Sequence, residues 1–299
     1  MLQQNIKGVV DTLKKYDFPC DVVVETIAYC NMECVMCPQK ILKRPRGEMS
    51  FELWKKIVDE IVERNINTRI WPSLMGDATL LGEKIVSMVQ YATGRGAQIH
   101  FNTNGMAFVP PLADEIMDSG IQAVYFGIDG FKPETYERIR VGGKYETVVG
   151  NIRHAIKIKK PEQKVYVQFI EMEENTDEME DFKKFWLNEG AVVKLRPKLA
   201  WGGEKSKFLK LTSDERVPCG WLVRTTTVRW DGHMLQCDSD YEGIHSPGDI
   251  NKQTLHEVWN GELAKRRQYH WDGDFSHYCC KDCNDWQMGR SHIFHPEEK

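Results

Sequence analysis

The sequence predicts an α/β protein: a parallel sheet with crossover helices, then a smaller C-terminal unit. Between residues 21 and 196, six strand-like runs alternate with helix-like runs. Such alternation joins neighbouring strands in parallel through the helices. It stops at a polar, Lys-rich stretch, Trp201 to Lys210, whose Gly202-Gly203 reads as a linker. Past it, Asp231-Gly232 lies between alternating apolar positions, which is a hairpin signal.

Asp21 to Ile27 is a buried strand, with Val22, Val23 and Val24 flanked by polar residues. Ser50 caps a helix whose Trp54, Ile57, Val58 and Ile61 recur at helical spacing. Arg69 to Leu74 is the second strand and Glu83 to Ala92 the second helix. Gln98 to Asn102 and Ala113 to Asp118 form the third pair. Ala123 to Ile128 is the fourth strand. Tyr145 to Ile158 is a helix, after a loop with Gly142 and Gly143. Val165 to Ile170, Met179 to Trp186 and Val192 to Arg196 complete the series. Arg224 to Cys237 forms the hairpin. Thr254 to Tyr269, with Leu255, Val258, Trp259 and Leu263, forms one further helix, and Cys279 to Lys299 reads as irregular.

At 299 residues, 41% hydrophobic and 28% charged, the chain has the composition of an ordinary globular protein. A net charge of -4 gives no reason to expect a nucleic-acid partner. The basic run Lys40 to Arg46 is local. No apolar stretch reaches the roughly 18 residues of a membrane span, and the charged N-terminus is no secretory signal. Nine cysteines, an odd number in clustered spacings, point to metal ligation in a reducing cytoplasm, not to disulfides.

Cys30, Cys34 and Cys37 stand in C-x3-C-x2-C spacing directly after the first strand. Three thiolates in so short a loop can hold an iron–sulfur cube and leave one iron open. Zinc on three Cys and one His is the alternative. A second set is Cys219, Cys237, Cys280 and Cys283, ending in C-x2-C. Read alone, it fits structural zinc as well as a cluster. Cys20 and Cys279 are left over, and either of Cys279 and Cys280 can serve as the ligand.

The three-cysteine loop, with the strands in this order, resembles the radical S-adenosylmethionine (radical SAM) superfamily. The resemblance implies a partial (β/α)6 barrel, with function at the C-terminal ends of the strands. It implies a 4Fe–4S cluster on Cys30, Cys34 and Cys37 whose open iron binds SAM. Met75-Gly76-Asp77-Ala78-Thr79 matches the family's Gly-Glu-Pro turn, with Asp for Glu and Ala for Pro. Gly76 then allows close backbone approach and Asp77 accepts from the SAM ammonium. Asn102 and Asn104, in the Thr-Asn-Gly segment, are candidates for the SAM site, Asn102 for the ribose hydroxyls. Gly127-Ile128-Asp129-Gly130 matches the Ser-x-Asp-Gly segment, with Gly127 in the Ser position; Asp129 is a candidate contact, or part of a tight turn. Met36 takes the place of an aromatic beside adenine. Arg196 can contact SAM or substrate. The second cysteine set resembles the twitch domain, a shortened SPASM domain holding an auxiliary 4Fe–4S cluster.

The expected organisation is an N-terminal extension (1–20), the barrel (21–200), the twitch domain (201–290) and a tail (291–299). Both cysteine sets are spaced like those of the aminocyclitol dehydrogenases that oxidise 2-deoxy-scyllo-inosamine. The family's chemistry is a 5′-deoxyadenosyl radical that removes a hydrogen atom from an unactivated carbon. As a dehydrogenase, the enzyme turns a carbinol of a sugar or aminocyclitol into a ketone, with the auxiliary cluster taking the second electron. As an epimerase, Cys279 returns a hydrogen atom to the opposite face. Peptide maturases of the SPASM group often carry a leader-binding domain, for which about twenty residues before the first strand are too few. An electron-transfer or zinc-binding structural protein leaves the strand-end motifs unexplained. The expected partners are a small-molecule substrate and a reducing donor such as flavodoxin or ferredoxin.

Overall fold

A computed structural model describes residues 13–199, 216–281, 283, 285–287 and 291–296. Its centre is a parallel sheet of β1 (Asp21–Val24), β2 (Arg69–Trp71), β3 (Gln98–Thr103), β4 (Ala123–Gly127), β5 (Lys164–Glu171) and β6 (Val192–Pro197). The crossovers carry α1 (Phe51–Asn65), α2 (Glu83–Gly94), α3 (Leu112–Asp118), α4 (Pro133–Ile139), α5 (Tyr145–Ile158) and α6 (Met179–Asn188). Ser50 Oγ accepts from Leu53 N–H and caps α1, as its sequence predicts.

Strand residues alternate in direction, so the sheet has two unlike faces. One carries Val22, Val24, Ile70, Ile99, Phe101, Val124, Phe126, Val167 and Phe169, all fully buried. These pack with Trp54, Ile57, Val148 and Trp186 of the helices in one continuous core. The other face carries Trp71, Asn102, Tyr125, Gln168, Lys194 and Arg196 around a cavity. A closed (β/α)8 barrel fills this space with apolar side chains; polar residues here leave a chamber.

The C-terminal part adds α7 (Gly220–Arg224), β7 (Thr225–Val228), β8 (Met234–Leu235), α8 (Leu255–Asn260), α9 (Glu262–Trp271) and β9 (His292–Phe294). It completes the same sheet, whose order is β8-β7-β1-β2-β3-β4-β5-β6-β9. β7 pairs parallel with β1, and β8 returns antiparallel as the hairpin expected at Asp231-Gly232. The stretch expected to be irregular contains β9, antiparallel to β6. Three further expectations are corrected. The helix read over residues 254–269 is two helices, broken at Gly261. The second strand stops at Trp71, before Pro72, which has no N–H for a ladder. Helix α4 was not expected; Pro133 starts it, and the distant Glu178 carboxylate accepts from Phe131 N–H, Lys132 N–H and Thr135 Oγ1 at its entry. The linker expected at 201–210 lies outside the described residues. α8 begins with a Thr254/Glu257 capping box, and Glu60 of α1 also accepts from Leu255 N–H and His256 N–H, both at 2.7 Å.

Candidate active site

The chamber has a volume of about 760 Å³ and opens at the C-terminal ends of the strands. Cys30, Cys34 and Cys37 form one wall. Their loop is pinned by Glu33 N–H to Val141 O (2.9 Å) and Val35 N–H to Ile139 O (3.0 Å), and is closed by Cys37 N–H to Cys34 O (3.0 Å). Each sulfur has a donor beside it: Asn104 Nδ2 at 3.6 Å from Cys30, Arg140 Nη1 at 3.7 Å from Cys34, and Gln39 N–H toward Cys37. Burial, with Asp77 next, raises the Cys30 thiol to about 11; burial also raises Cys37. A bound metal reverses that bias by holding the thiolates. Three clustered thiols, each with a donor, fit a cluster site.

Gly76 lies against the start of that loop. A Cβ there would lie 2.5 Å from Tyr29 O and overlap Ile27 O, so only glycine fits. Asp77 is buried beside it, and both its oxygens have protein partners. Oδ1 accepts from Thr79 N–H (3.1 Å) and Thr79 Oγ1 (2.6 Å). Oδ2 accepts from Thr103 Oγ1 (3.0 Å) and Asn104 N–H (2.6 Å). The geometry therefore gives Asp77 a bracing role: it ties the turn after β2 to the turn after β3. Asn104 Nδ2 in turn donates to Asn31 Oδ1 at 2.8 Å, within the cysteine loop.

Asp129, read from the sequence as a candidate contact or part of a tight turn, holds other protein groups. It is fully buried and does not line the chamber. Its Oδ1 accepts from Ile170 N–H (2.6 Å), and its Oδ2 pairs with Arg140 Nε (2.7 Å) and Nη2 (2.5 Å). Asp129 thus positions Arg140, which reaches Cys34. Gly127 makes room for this: a Cβ there would overlap the Arg140 guanidinium, 2.8 Å from Cζ. The departure from Ser at 127 is therefore matched by Arg140, a residue the sequence reading missed.

Met36 lines the chamber and packs on the buried Ile139 and Met172, which do not line it. Asn102 lines the chamber, with Oδ1 accepting from Gln168 Nε2 at 3.3 Å. Arg196 also lines it; burial lowers its pKa. Two residues deeper on β6, Lys194 lies over the rings of Tyr125 (5.3 Å) and Trp71 (5.9 Å). Burial, then the Arg196 and Arg69 charges, bring Lys194 down to about 7. Asp238 faces the chamber from the C-terminal part; burial lifts its carboxyl to about 6, and Thr227 Oγ1 donates to Oδ1 at 2.8 Å. Lys194 and Asp238 were also missed. Their signals were a polar residue on alternating strand positions and a carboxylate directly after Cys237.

The second thiol set gathers at the start of α7 (Cys219), after β8 (Cys237) and in the turns around Tyr278–Cys280 and Cys283. Cys280 Sγ accepts from Gln236 Nε2 at 2.9 Å, and Cys283 Sγ from Asp285 N–H at 3.2 Å. Burial lifts Cys219 to about 12. Cys279 donates among these sulfurs, toward Cys237 and Cys280, so its own proton is held and Cys280 has the thiolate character. Cys279, expected as a candidate hydrogen donor to substrate, is not on the chamber wall. This set too fits a thiolate-held cluster.

The radical SAM superfamily matches residues 24–185, and the SPASM iron–sulfur cluster-binding domain matches residues 219–284. The chain is 24% identical to the mycofactocin maturase MftC of Mycolicibacterium smegmatis, covering 78% of this chain and 58% of that protein. It thus spans less than two thirds of that relative. It is 21% identical to the tungsten-containing aldehyde ferredoxin oxidoreductase cofactor-modifying protein of Pyrococcus furiosus, over 87% of this chain and 86% of that one. Among solved structures, BtrN in complex with AdoMet and 2-DOIA superposes with a TM-score of 0.62 at 19% identity, over 91% of this chain and 94% of BtrN. Streptococcus suis SuiB bound to precursor peptide SuiA superposes at 0.71 with 11% identity, over 94% of this chain and 74% of SuiB. At such identities the likenesses are of fold. With more than half of the chain matched and the thiol sets gathered as described, the chain belongs to the radical SAM superfamily, as a SPASM-domain enzyme using SAM, a SAM-binding cluster and an auxiliary cluster.

Proposed function

We propose that the enzyme oxidises a carbinol of a small polyhydroxylated molecule, a sugar or aminocyclitol, to a ketone. The observation that carries this is the chamber. Its inner wall presents Asn102, Gln168, Arg196 and Asp238, groups that bind hydroxyls, beside the three-cysteine loop. Its volume of about 760 Å³ suits small ligands. When bound, SAM and the clusters supply the hydrogen-abstracting radical and the sink for a second electron. The chain's residues bind and orient. Arg196 donates to a substrate oxygen. Asp238 has one partner, Thr227, on Oδ1, and its Oδ2 has none among the described residues; it is placed to accept the hydroxyl proton. Met36, backed by Ile139 and Met172, gives an apolar contact for adenine.

Cys279's place among the auxiliary thiols supports dehydrogenation over epimerisation. Peptide modification is a second reading, supported by the relationship to mycofactocin maturase. The test is an anaerobic assay in deuterated water with reconstituted enzyme, SAM, reductant and candidate polyols, read by mass spectrometry. Dehydrogenation gives 5′-deoxyadenosine with a product two mass units lighter. One deuterium gained at carbon without oxidation refutes it and restores the epimerase. Turnover of peptides but of no polyol establishes the maturase reading instead.

A further inference from the structure

Two of the carboxylates that line the chamber, Asp21 and Asp77, are held by protein donors. Asp21 accepts from Arg69 Nη2 and Trp71 Nε1 at 2.7 and 2.8 Å, with Arg224 at 3.8 Å. Asp77 is taken by Thr79, Thr103 and Asn104. Lys194 and Arg196 have neither an ion-pair nor a hydrogen-bond partner among the described residues. The charges around them differ: Lys194 meets Arg196 and Arg69 with Asp21 opposing, whereas Arg196 lies near Asp129, Asp238 and Asp285 as well as Arg140. A cation withdrawn from water without a partner, as Lys194 is, is costly. Lys194's stem rests on Trp71 and Tyr125, and Tyr125 stacks on Tyr166 at 4.2 Å, so the ammonium cannot swing away freely.

The register places the pair in depth. Gln168 pairs with Lys194, and Ile170 with Arg196. Two residues along a strand separate them by roughly 6.6 Å. A ligand reaching Arg196 from the cysteine loop has Lys194 beneath it.

We propose that the substrate carries an anionic group, a phosphate or a carboxylate, which enters between Lys194 and Arg196 and supplies the counter-charge that Lys194 lacks among the described residues. This rests on the polyol reading above and narrows it to an acidic or phosphorylated polyol. Arg196 grips the anion through a planar fork and Lys194 acts as a point charge.

The test is calorimetric titration of the reconstituted, SAM-bound holoenzyme with glucose, glucose 6-phosphate and gluconate. At least one anion is expected to bind about tenfold or more tightly than glucose, and which one identifies the group. Lys194→Met is expected to abolish that preference, Lys194→Arg to keep most of it, and SAM affinity to stay unchanged in both. Arg196→Gln, as an independent variant, is expected to lower it as well. Equal binding of all three sugars, or a preference that survives Lys194→Met, overturns the proposal; so does anion binding only when SAM is absent, since the pair would then serve the SAM carboxylate. The mass assay reads the reaction separately, so a failure of the anion subsite and a failure of the dehydrogenase reading are distinguishable.

Discussion

Gly127→Ala should damage the protein through Arg140. The added Cβ would lie 2.8 Å from Arg140 Cζ, whereas non-bonded carbons rest at about 3.5–4.0 Å. The guanidinium must therefore move by roughly 1 Å. It has no slack: Nε and Nη2 are 2.7 and 2.5 Å from Asp129 Oδ2. The shift carries both contacts out of the charge-assisted range of about 2.7–2.9 Å. If the pair survives under strain, overpacking costs about 1–3 kcal/mol. If it breaks, the buried Asp129 is left alone, at about 3–5 kcal/mol. Either is a large part of a typical stability of about 5–15 kcal/mol. The assay is urea unfolding of the apoprotein under reducing conditions, with Gly127→Ala made in both the natural and the Arg140→Ala background. The alanine is expected to cost less than about 0.5 kcal/mol where Arg140 has been truncated. Equal losses in the two backgrounds would refute the reasoning, because the guanidinium would then not be what fills that space.

Asp77→Asn replaces a carboxylate that accepts at both oxygens; it is expected to lose about 1.5–3 kcal/mol and to weaken SAM binding, read by urea midpoint and by equilibrium dialysis. Cys219→Ala is expected to lower iron from about eight to about four per chain while SAM still binds, measured on reconstituted protein. Glu60→Gln removes the anion capping α8 from outside its own segment and is expected to cost about 0.5–2 kcal/mol by thermal unfolding. Anion affinity should fall as pH rises from about 7 to about 9. The sign follows from Lys194, which burial brings down to about 7 and which is therefore charged below that pH and neutral above it. The groups facing it do not titrate with it: Arg69 is paired with Asp21, Gln168 is neutral, Arg196 stays cationic, Tyr125 is pushed up, and burial lowers His100 to about 4. Affinity unchanged across that range would remove Lys194 from the subsite.

What could be read in the sequence was local. Ser50, the helical spacing of α1 and the bounds of α5 depend on residues within a few turns, and the structure matches them. The three-cysteine spacing is local too. What could not be read depends on distant partners. Gly127 is intelligible only with Arg140 folded back over it. Glu178 and Glu60 serve helix entries far along the chain. β9 is three residues long and stands only because β6 offers an edge. Asp77 and Asp129 are acidic residues at motif positions, but their bonds show them holding other protein groups. That distinction needs coordinates, since a carboxylate that braces and one that binds look alike in a string.

β7 and β9 sit at opposite sides of the six parallel strands, and both come from the C-terminal part of the chain. During synthesis, β1 to β6 emerge with two bare edges. β1 waits about two hundred residues for β7, and β6 about a hundred for β9. Bare strand edges are templates for pairing with other chains, and such distant contacts form slowly. A nascent chain halted near residue 200 would therefore be the species most prone to aggregate. The thiol sets are linked to that order: Cys219 and Cys237 bracket β7, the strand that seals β1, so the stretch that builds the second site also finishes the first.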